Sequence, residues 1–512
     1  MKMMSRRAMI AGILAAGAMP RVLMADPRPR PRPEGGRPAP LAAASAPVLG
    51  VDELIAKANL GGAVSFLALD AATGAILASR EADLPFAPAS TLKSVTALYA
   101  QSVLGAEHRF ATRVIRAGDL LILAGGGDPE LDSDGLAELA KAAAEAEKAA
   151  GRPAPARFAV WGGALPQIAE ISPGQAAHLT YNPTISGMIL NFNRVHLGWR
   201  RGESGYALTL EARGRKHSPR AYTIAAGVAD RAQPLFTYDG AGAKESWTIA
   251  RSAMGKAGSR WLPVRRPELY AGDTFQTLCR AQGLVLPSPE VIADLPAGEE
   301  IARRPSRPLR VILRDMMEYS NNLTAEIVGL AASGKPDLVQ SGAAMTAWLR
   351  GQGVTGEFTF RDHSGLSPAT RITARMMAET VAGPGRAQDL RGLMKHIPLR
   401  DAKGKALKDS PILVEAKTGT LNFVSNLAGY AQDGQGRQIV FAVLTGDEAR
   451  RAANEGRELP DGVIGWTRRS KALQQGLIEN WLATSAQTAP AGTGDAPEGA
   501  PLVSENAVTG AG

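Results

Sequence analysis

The chain has 512 residues, of which 45% are hydrophobic and 21% are charged, an ordinary composition for a globular protein. A chain of this length exceeds one compact core, so we expect at least two lobes. Cys279 is the single cysteine, which excludes an intramolecular disulfide and a thiol-rich metal site. The six histidines show no metal-ligand spacing, and the sequence implies no metal and no cofactor.

The formal net charge of +9 is concentrated near the N-terminus. Residues 1–25 hold four of the positive charges, and residues 26–40 carry a net +2, which leaves +3 for the rest. A protein that binds nucleic acid keeps its basic residues in the folded part. The sequence therefore does not indicate nucleic acid as a partner.

Residues 1–25 have the order of a secretory signal peptide. Lys2, Arg6 and Arg7 precede an apolar run over residues 8–19, which is too short to span a bilayer. Residues 5–10 also resemble a twin-arginine signal, and the alternative is a general secretory signal that carries paired arginines. Either route predicts a periplasmic protein whose signal peptide is cleaved.

Two segments of biased composition flank the central part of the chain. Residues 26–50 are rich in Pro and Arg and predict an extended linker. Residues 485–512 are rich in Ala, Gly, Pro and Thr and predict a disordered tail. The tail lacks a basic amphipathic pattern, so we expect no stable membrane anchor.

Between these segments the sequence predicts strands near both ends of the chain and helices between them. Residues 64–70 and 75–79 predict an antiparallel hairpin, and a helix begins near Ser90. Further helices are expected over 136–150, 274–282, 309–319 and 471–481, and further strands over 206–212, 246–250, 425–431 and 438–444. A sheet completed by distant segments predicts an α+β domain.

Ser90 and Lys93 place a hydroxyl and an amine three residues apart at a helix start, where side chains are neighbours. Serine needs an adjacent base to act as a nucleophile, and desolvation together with a second cation lowers the pKa of a lysine enough to serve. Taken alone, the pair is better explained by a helix-capping serine and a solvated lysine, because serine is a preferred cap residue.

Two further motifs favour catalysis. Ser320-Asn321-Asn322 follows a predicted helix, and Lys417-Thr418-Gly419 precedes strand-like runs, where the glycine lets a ligand approach the backbone. The alternative interpretation of Lys417 is a lysine on an edge strand, where its charge discourages aggregation. Ser-x-x-Lys, Ser-x-Asn and Lys-Thr-Gly in this order are the set found in β-lactamases and penicillin-binding proteins.

The chain resembles the class C low-molecular-mass penicillin-binding proteins, the D-alanyl-D-alanine carboxypeptidase/endopeptidase family, from about residue 67 to 477. The similarity extends beyond the motifs to residues 86–93, 125–129, 190–193, 320–326, 364–367, 416–420 and 427–430. His363 departs from the glycine that is usual in the family. The family's acidic residue for the free amino end of a peptide side chain has no clear counterpart around residues 171–178.

The resemblance implies a penicillin-binding/β-lactamase-like transpeptidase domain, an antiparallel sheet flanked by helices, interrupted by a large insert of one or two extra domains. We expect residues 51–115 and 290–484 to form the D,D-peptidase domain and residues 116–289 to form the insert. A β-lactamase has a far shorter connection between its first two motifs.

The resemblance also implies a mechanism and partners. Ser90 would be acylated with Lys93 as its base, Ser320 would protonate the leaving amine, and Asn322 would hold the substrate amide. Lys417, Thr418, Gly419 and Thr420 would form the site for the terminal carboxylate, and the backbone N–H groups of Ser90 and Thr420 the oxyanion hole. The expected partners are peptidoglycan stem peptides and β-lactam inhibitors.

Four other classes of protein are less well supported by the sequence. A β-lactamase lacks support because the class A Glu-x-x-Leu-Asn motif is absent after Ser320. A non-catalytic wall-binding protein would not need intact Ser90, Lys93 and Lys417. A histidine-dependent hydrolase and a nucleotide enzyme are not supported, because no Gly-x-Ser-x-Gly elbow or phosphate loop occurs.

Overall fold

The computed structural model describes residues 49–485. The predicted signal peptide, almost all of the linker and almost all of the tail lie outside the described residues. The strands are β1 (Ala63–Asp70), β2 (Ile76–Arg80), β3 (Ala111–Ala117), β4 (Leu120–Ala124), β5 (Arg157–Trp161), β6 (Arg194–Gly202), β7 (Gly205–Glu211), β8 (Ile224–Ala229), β9 (Phe236–Asp239), β10 (Glu245–Ala250), β11 (Ala257–Pro263), β12 (Pro289–Ile292), β13 (Glu299–Pro305), β14 (Lys395–His396), β15 (Leu413–Leu421), β16 (Val424–Gln432) and β17 (Gln438–Gly446).

The α-helices lie mostly in the second half of the chain. They are α1 (Val51–Ala58), α2 (Lys93–Leu104), α3 (Ser133–Ala149), α4 (Pro267–Ala281), α5 (Leu309–Tyr319), α6 (Asn322–Ser333), α7 (Leu338–Gly351), α8 (Ala374–Ala382), α9 (Pro384–Ala387), α10 (Glu448–Ala453) and α11 (Val463–Ser485).

A six-stranded sheet with the order β14-β15-β16-β17-β1-β2 forms the centre of the larger domain. Every neighbouring pair in it is antiparallel. The hairpin from the start of the chain thus pairs with strands more than 300 residues later, Ala63 lying opposite Gly446. The predicted α+β fold with an antiparallel sheet flanked by helices is confirmed.

Both faces of this sheet are buried, because alternate side chains of its strands enter different cores. Val440, Ala442 and Leu444 of β17 pack with the helices α2, α5, α7 and α8. Their neighbours Ile439, Phe441 and Val443 pack with Trp466 and Trp481 of α11 on the opposite face. The apolar run of β17 therefore reflects burial on both sides.

The chain between β3 and β13 forms three further sheets. A five-stranded sheet has the order β12-β5-β4-β3-β13, and two three-stranded sheets have the orders β11-β6-β7 and β8-β10-β9. Helices α3 and α4 share one hydrophobic core with them. The predicted bounds of the insert, 116 and 289, would separate β13 and most of β3 from this sheet. Because β3 and β13 pair with each other, we propose instead that the insert begins just before β3 and ends just after β13.

The helix predicted over 309–319 agrees with α5 at both ends, whereas the other predicted helices differ from the observed ones. The helix predicted over 274–282 already begins at Pro267, and the one predicted over 136–150 runs from Ser133 to Ala149. Ser90 lies in a 3₁₀ turn, Ala89–Leu92, and the α-helix begins only at Lys93. The last helix, expected over 471–481, runs from Val463 to Ser485. Its first turn contains Trp466, whose indole N–H donates to the Leu60 carbonyl at 2.8 Å, so a tertiary contact extends the helix.

Candidate active site

The turn that carries Ser90 is held against the central sheet. Ala89 has a φ of +48°, in the left-handed region, which costs a residue with a side chain about 1–2 kcal/mol. The buried amide of Asn426, on β16, donates to the carbonyls of Ala87 at 2.9 Å and Pro88 at 3.0 Å. These bonds stabilise the chain in the conformation that presents Ser90.

Two glycines let neighbouring segments approach this turn. A Cβ atom at Gly419 on β15 would lie 2.7 Å from the Pro88 carbonyl oxygen, and one at Gly365 would lie 1.9 Å from that of Ala89. Gly365 also has a φ of +80°. The sequence predicted that Gly419 makes room for a ligand, and the structure adds that it makes room for the nucleophile turn.

The amine of Lys93 is buried beneath Ser90 and reaches three oxygen atoms. Its Nζ lies 2.9 Å from Ser90 Oγ, 2.8 Å from Asn322 Oδ1 and 2.8 Å from the Ser364 carbonyl oxygen. The alternative of a solvated lysine beside a capping serine is therefore wrong for this pair, and Ser90 makes no side-chain cap.

Burial lowers the pKa of Lys93 to about 8, although the carboxylates of Glu326 and Asp362 act in the opposite direction. Removing the amine from water penalises its charged form. From the sequence we also expect a second cation to lower this pKa, but the charged groups that act on Lys93 are the acidic Glu326 and Asp362. A free amine is thus available at Ser90 near neutral pH.

Ser320 and Lys417 form a second pair of the same kind. Lys417 is fully buried on β15, and its Nζ lies 2.9 Å from Ser320 Oγ and 2.9 Å from the Thr418 carbonyl oxygen. Burial, followed by the charge of Lys93, lowers the pKa of Lys417 well below its usual value. Lys417 is thus not an exposed edge-strand lysine.

The second motif occupies the junction of α5 and α6. Ser320 ends α5 in the left-handed conformation, and the side chain of Asn321 caps α6 by accepting from the Thr324 N–H. Asn322, the first residue of α6, accepts from Lys93 through Oδ1 and donates through Nδ2 to the Tyr181 carbonyl at 3.1 Å. The motif therefore links both lysine pairs to the segment before β6.

A buried acidic pair supports the loop that contributes the Ser364 carbonyl. Glu326 accepts from the N–H groups of His363 and Ser364, both at 2.9 Å, and Asp362 accepts from the Thr370 hydroxyl at 2.7 Å. Burial and the charge of Asp362 raise the pKa of Glu326 well above its usual value. Sequence reasoning gave Glu326 no role.

His363, where the family pattern has glycine, fits because α6 has a glycine opposite it. The ring is fully buried, its Nε2 lies 2.6 Å from Ser341 Oγ, and burial lowers its pKa to about 3. A Cβ atom at Gly329 would lie 2.2 Å from the ring. The departure at His363 is thus accommodated without opening the loop beside Asp362.

We expect Gly329→Ala to destabilise the protein by about 1–3 kcal/mol, the usual cost of overpacking a filled core. Gly465→Ala is the matched control, because Gly465 also lies in a helix but a Cβ there would meet only Arg469 Nη1 at 3.8 Å. That variant should be unchanged or up to about 1 kcal/mol more stable. Urea unfolding measures both, and equal stabilities would contradict the packing argument.

The motifs meet in one large cleft of about 1800 Å³. Ser90, Ser320, Asn322 and Thr420 line it, while Lys93 and Lys417 are buried behind them. Thr418 and Gly419 directly precede Thr420 on β15. The residues predicted from distant parts of the sequence are therefore brought together.

The segment before β6 forms one wall of this cleft. Ile171, Ile185 and Ile189 pack against Leu323 and Ile327 of α6. Ser172–Ala176 and Tyr181 line the cleft. Among residues 49–485, no group of three or more His, Cys, Asp or Glu side chains is placed to hold a metal ion. No helix in that range is long and apolar enough to cross a membrane.

Known proteins resemble this chain over most of its length. The model of the D-Ala-D-Ala carboxypeptidase 3 (S13) family matches residues 48–469. A D-alanyl-D-alanine carboxypeptidase of Actinomadura sp. strain R39 is 26% identical, over 77% of this chain and 80% of the relative. A carboxypeptidase of Mycobacterium tuberculosis is 28% identical, over 75% of this chain and 76% of the relative.

The fold is similar to that of a solved structure, penicillin-binding protein 4 from Haemophilus influenzae. The TM-score is 0.66 at 19% identity, covering 85% of this chain and 99% of that one. The same protein in complex with a β-lactam gives a TM-score of 0.63 at 20% identity, with the same coverage. At this identity the likeness concerns the fold alone.

Proposed function

The chain belongs to the D-Ala-D-Ala carboxypeptidase 3 (S13) family, and we propose that it cleaves the bond after a D-alanine through an acyl-enzyme at Ser90. It is thus a serine-type D-Ala-D-Ala carboxypeptidase, a peptidase of the hydrolase class. Family membership favours this activity over the β-lactamase and the non-catalytic wall-binding protein.

The arrangement around Lys93 Nζ is the observation that carries the proposal. A neutral amine has two N–H donors and one lone pair. The Asn322 Oδ1 and the Ser364 carbonyl oxygen are acceptors only, so they take the two donors. The lone pair is then left for the third neighbour, the Ser90 hydroxyl at 2.9 Å, whose proton it is placed to accept.

Acylation follows from this geometry. As Lys93 removes the proton, Ser90 Oγ attacks the carbonyl carbon, and the negative oxygen is stabilised by the backbone N–H groups of Ser90 and Thr420. The C–N bond then breaks and the leaving amine takes a proton from Ser320, whose Oγ is hydrogen-bonded to Lys417. The proton held by Lys93 replaces the one that Ser320 has lost. Water then attacks the ester carbonyl, Lys93 takes the water's proton, and this proton passes to Ser90 Oγ as the ester bond breaks.

Asn322 and strand β15 would position the substrate. Asn322 would hold the amide of the acyl portion, and Lys417, Thr418, Gly419 and Thr420 would bind the terminal carboxylate. The substrates would be peptidoglycan stem peptides, reached after export to the periplasm. Terminal trimming and cleavage of cross-links use the same acylation step, so both activities fit this site.

A fluorescent penicillin should label the native protein covalently, because its ring-opened leaving group stays attached and blocks water. Digestion and mass measurement should place the label on the peptide that contains Ser90. The heat-unfolded protein is the control and should remain unlabelled. Folded protein that takes up no label, or a label on another residue, would refute the mechanism.

A further inference from the structure

Arg194, the first residue of β6, carries a guanidinium group without a counter-ion in the described part of the chain. Its Nε is buried and has no hydrogen-bond partner among residues 49–485. Burial lowers its pKa, and the group that acts in the opposite direction is the Tyr270 phenol, not a carboxylate. Arginine nevertheless stays charged in proteins.

Two aromatic rings fix the position of this cation. The guanidinium carbon lies 5.1 Å from the centre of the Phe192 ring and 5.3 Å from that of Trp261. Such contacts contribute about 0.5–2 kcal/mol each and hold the group in place. The rings supply no counter-charge, and a half-buried guanidinium gains from an anion that pairs with it.

Arg194 lines a cavity of about 150 Å³ behind the second motif. The cavity is also lined by Thr180, Tyr181 and the segment Tyr319–Leu323, which includes the start of α6. The first N–H groups of a helix and its positive dipole end favour an anion. Arginine binds a carboxylate with two parallel hydrogen bonds. Both features point to the same ligand, a carboxylate.

The cavity adjoins the catalytic cleft on the side of Ser320. Tyr181, Ser320 and Asn322 line both spaces, whereas Ser90 and Thr420 line only the large cleft. In the proposed mechanism Ser320 protonates the leaving amine, so the cavity lies next to the leaving portion of the substrate. A single D-alanine that leaves has only one carboxylate, and β15 already binds it.

We propose that Arg194 binds a second carboxylate, carried by the leaving portion of a cross-linked peptide, and so favours cross-link cleavage over release of D-alanine. This inference rests on the proposed function. A cross-linked dimer leaves as a whole second peptide, which has further acidic groups beyond the one at the scissile bond. The cavity would therefore be specific for the longer leaving group.

The test compares Arg194→Met with wild type on two purified substrates, a pentapeptide that ends in D-Ala-D-Ala and a cross-linked muropeptide dimer. We expect kcat/KM on the dimer to fall about tenfold or more, as for loss of a charged hydrogen-bonded pair. Release of D-alanine from the pentapeptide should stay within about twofold, and penicillin labelling should be unchanged.

Arg220→Met is the matched control, because Arg220 also lies over an aromatic ring, 5.4 Å from the centre of Tyr222, but is exposed and lines neither space. It should leave both rates unchanged. If Arg194→Met takes up no penicillin, Arg194→Lys is tested in its place. A lysine keeps the positive charge but cannot form the two parallel hydrogen bonds of a guanidinium. The expected loss is then about threefold, again on the dimer alone.

An unchanged rate on the dimer, or an equal loss on both substrates, would overturn the inference and leave the proposed function standing. A wild-type protein that cleaves neither substrate and takes up no penicillin would instead overturn the proposed function, and the inference with it.

Discussion

Ser90→Ala should release D-alanine from a D-Ala-D-Ala peptide at least about 10³-fold more slowly than wild type, the scale seen when a catalytic nucleophile is removed. The reason is that no acyl-enzyme can form, and the hydroxyl within 2.9 Å of Lys93 Nζ is the one that is lost. Released D-alanine, measured over time at equal protein concentration, gives the ratio.

Ser94→Ala is the control for this variant. Ser94 lies four residues further on in α2, and its buried hydroxyl has no hydrogen-bond partner within the described part of the chain. Removing it should therefore leave turnover at the wild-type rate. Near-normal release by Ser90→Ala would contradict the assignment of the nucleophile, whatever Ser94→Ala does.

The central sheet was predictable because its strands have strong local patterns. The hairpin of β1 and β2 and the strands β16 and β17 were predicted to within three residues of their observed ends. In contrast, β14 has two residues and pairs with Glu415 and Ala416 only because the chain returns to that edge. A contact of this kind has no local pattern, since tertiary packing decides it.

Motif spacing located the side chains of the site but not the groups that position them. Ser90, Lys93, Ser320, Asn322 and Lys417 were all identified from the sequence, and the structure brings them together. The Ser364 carbonyl could not be found, because every residue has one. Asn426 did leave a signal, an amide within the predicted strand 425–431, and a buried amide requires partners.

The pairing of Gly329 with His363 and the isolation of Arg194 depend on three-dimensional proximity. In the sequence, Gly329 is only a glycine within a predicted helical segment, and Arg194 is only an arginine without a recognisable motif role. Only the fold places the imidazole ring over the glycine. In the same way, only the fold places the Arg194 guanidinium against two aromatic rings and without a carboxylate partner among residues 49–485.

Lys93→Met should reduce the rate of penicillin acylation by about 10³-fold, within the range that a general base contributes. Methionine fills a similar volume without an amine, so the nucleophile keeps its place but has no acceptor for its proton. Lys148→Met is the control: Lys148 is exposed near the end of α3, in the insert, and its loss should not change the rate.

The pH dependence separates a lost base from a disturbed structure. The base must be unprotonated, and the pKa of Lys93 is lowered only to about 8. About half of the wild-type molecules have the free amine at pH 8 and about one in ten at pH 7, so acylation should fall about fivefold between pH 8 and pH 7 and about tenfold for each pH unit below 7. The residual rate of Lys93→Met should lack this slope. A wild-type rate that is constant between pH 6 and pH 8, or a variant acylated as fast as wild type, would exclude Lys93 as the base, since in either case the rate would not depend on the free amine.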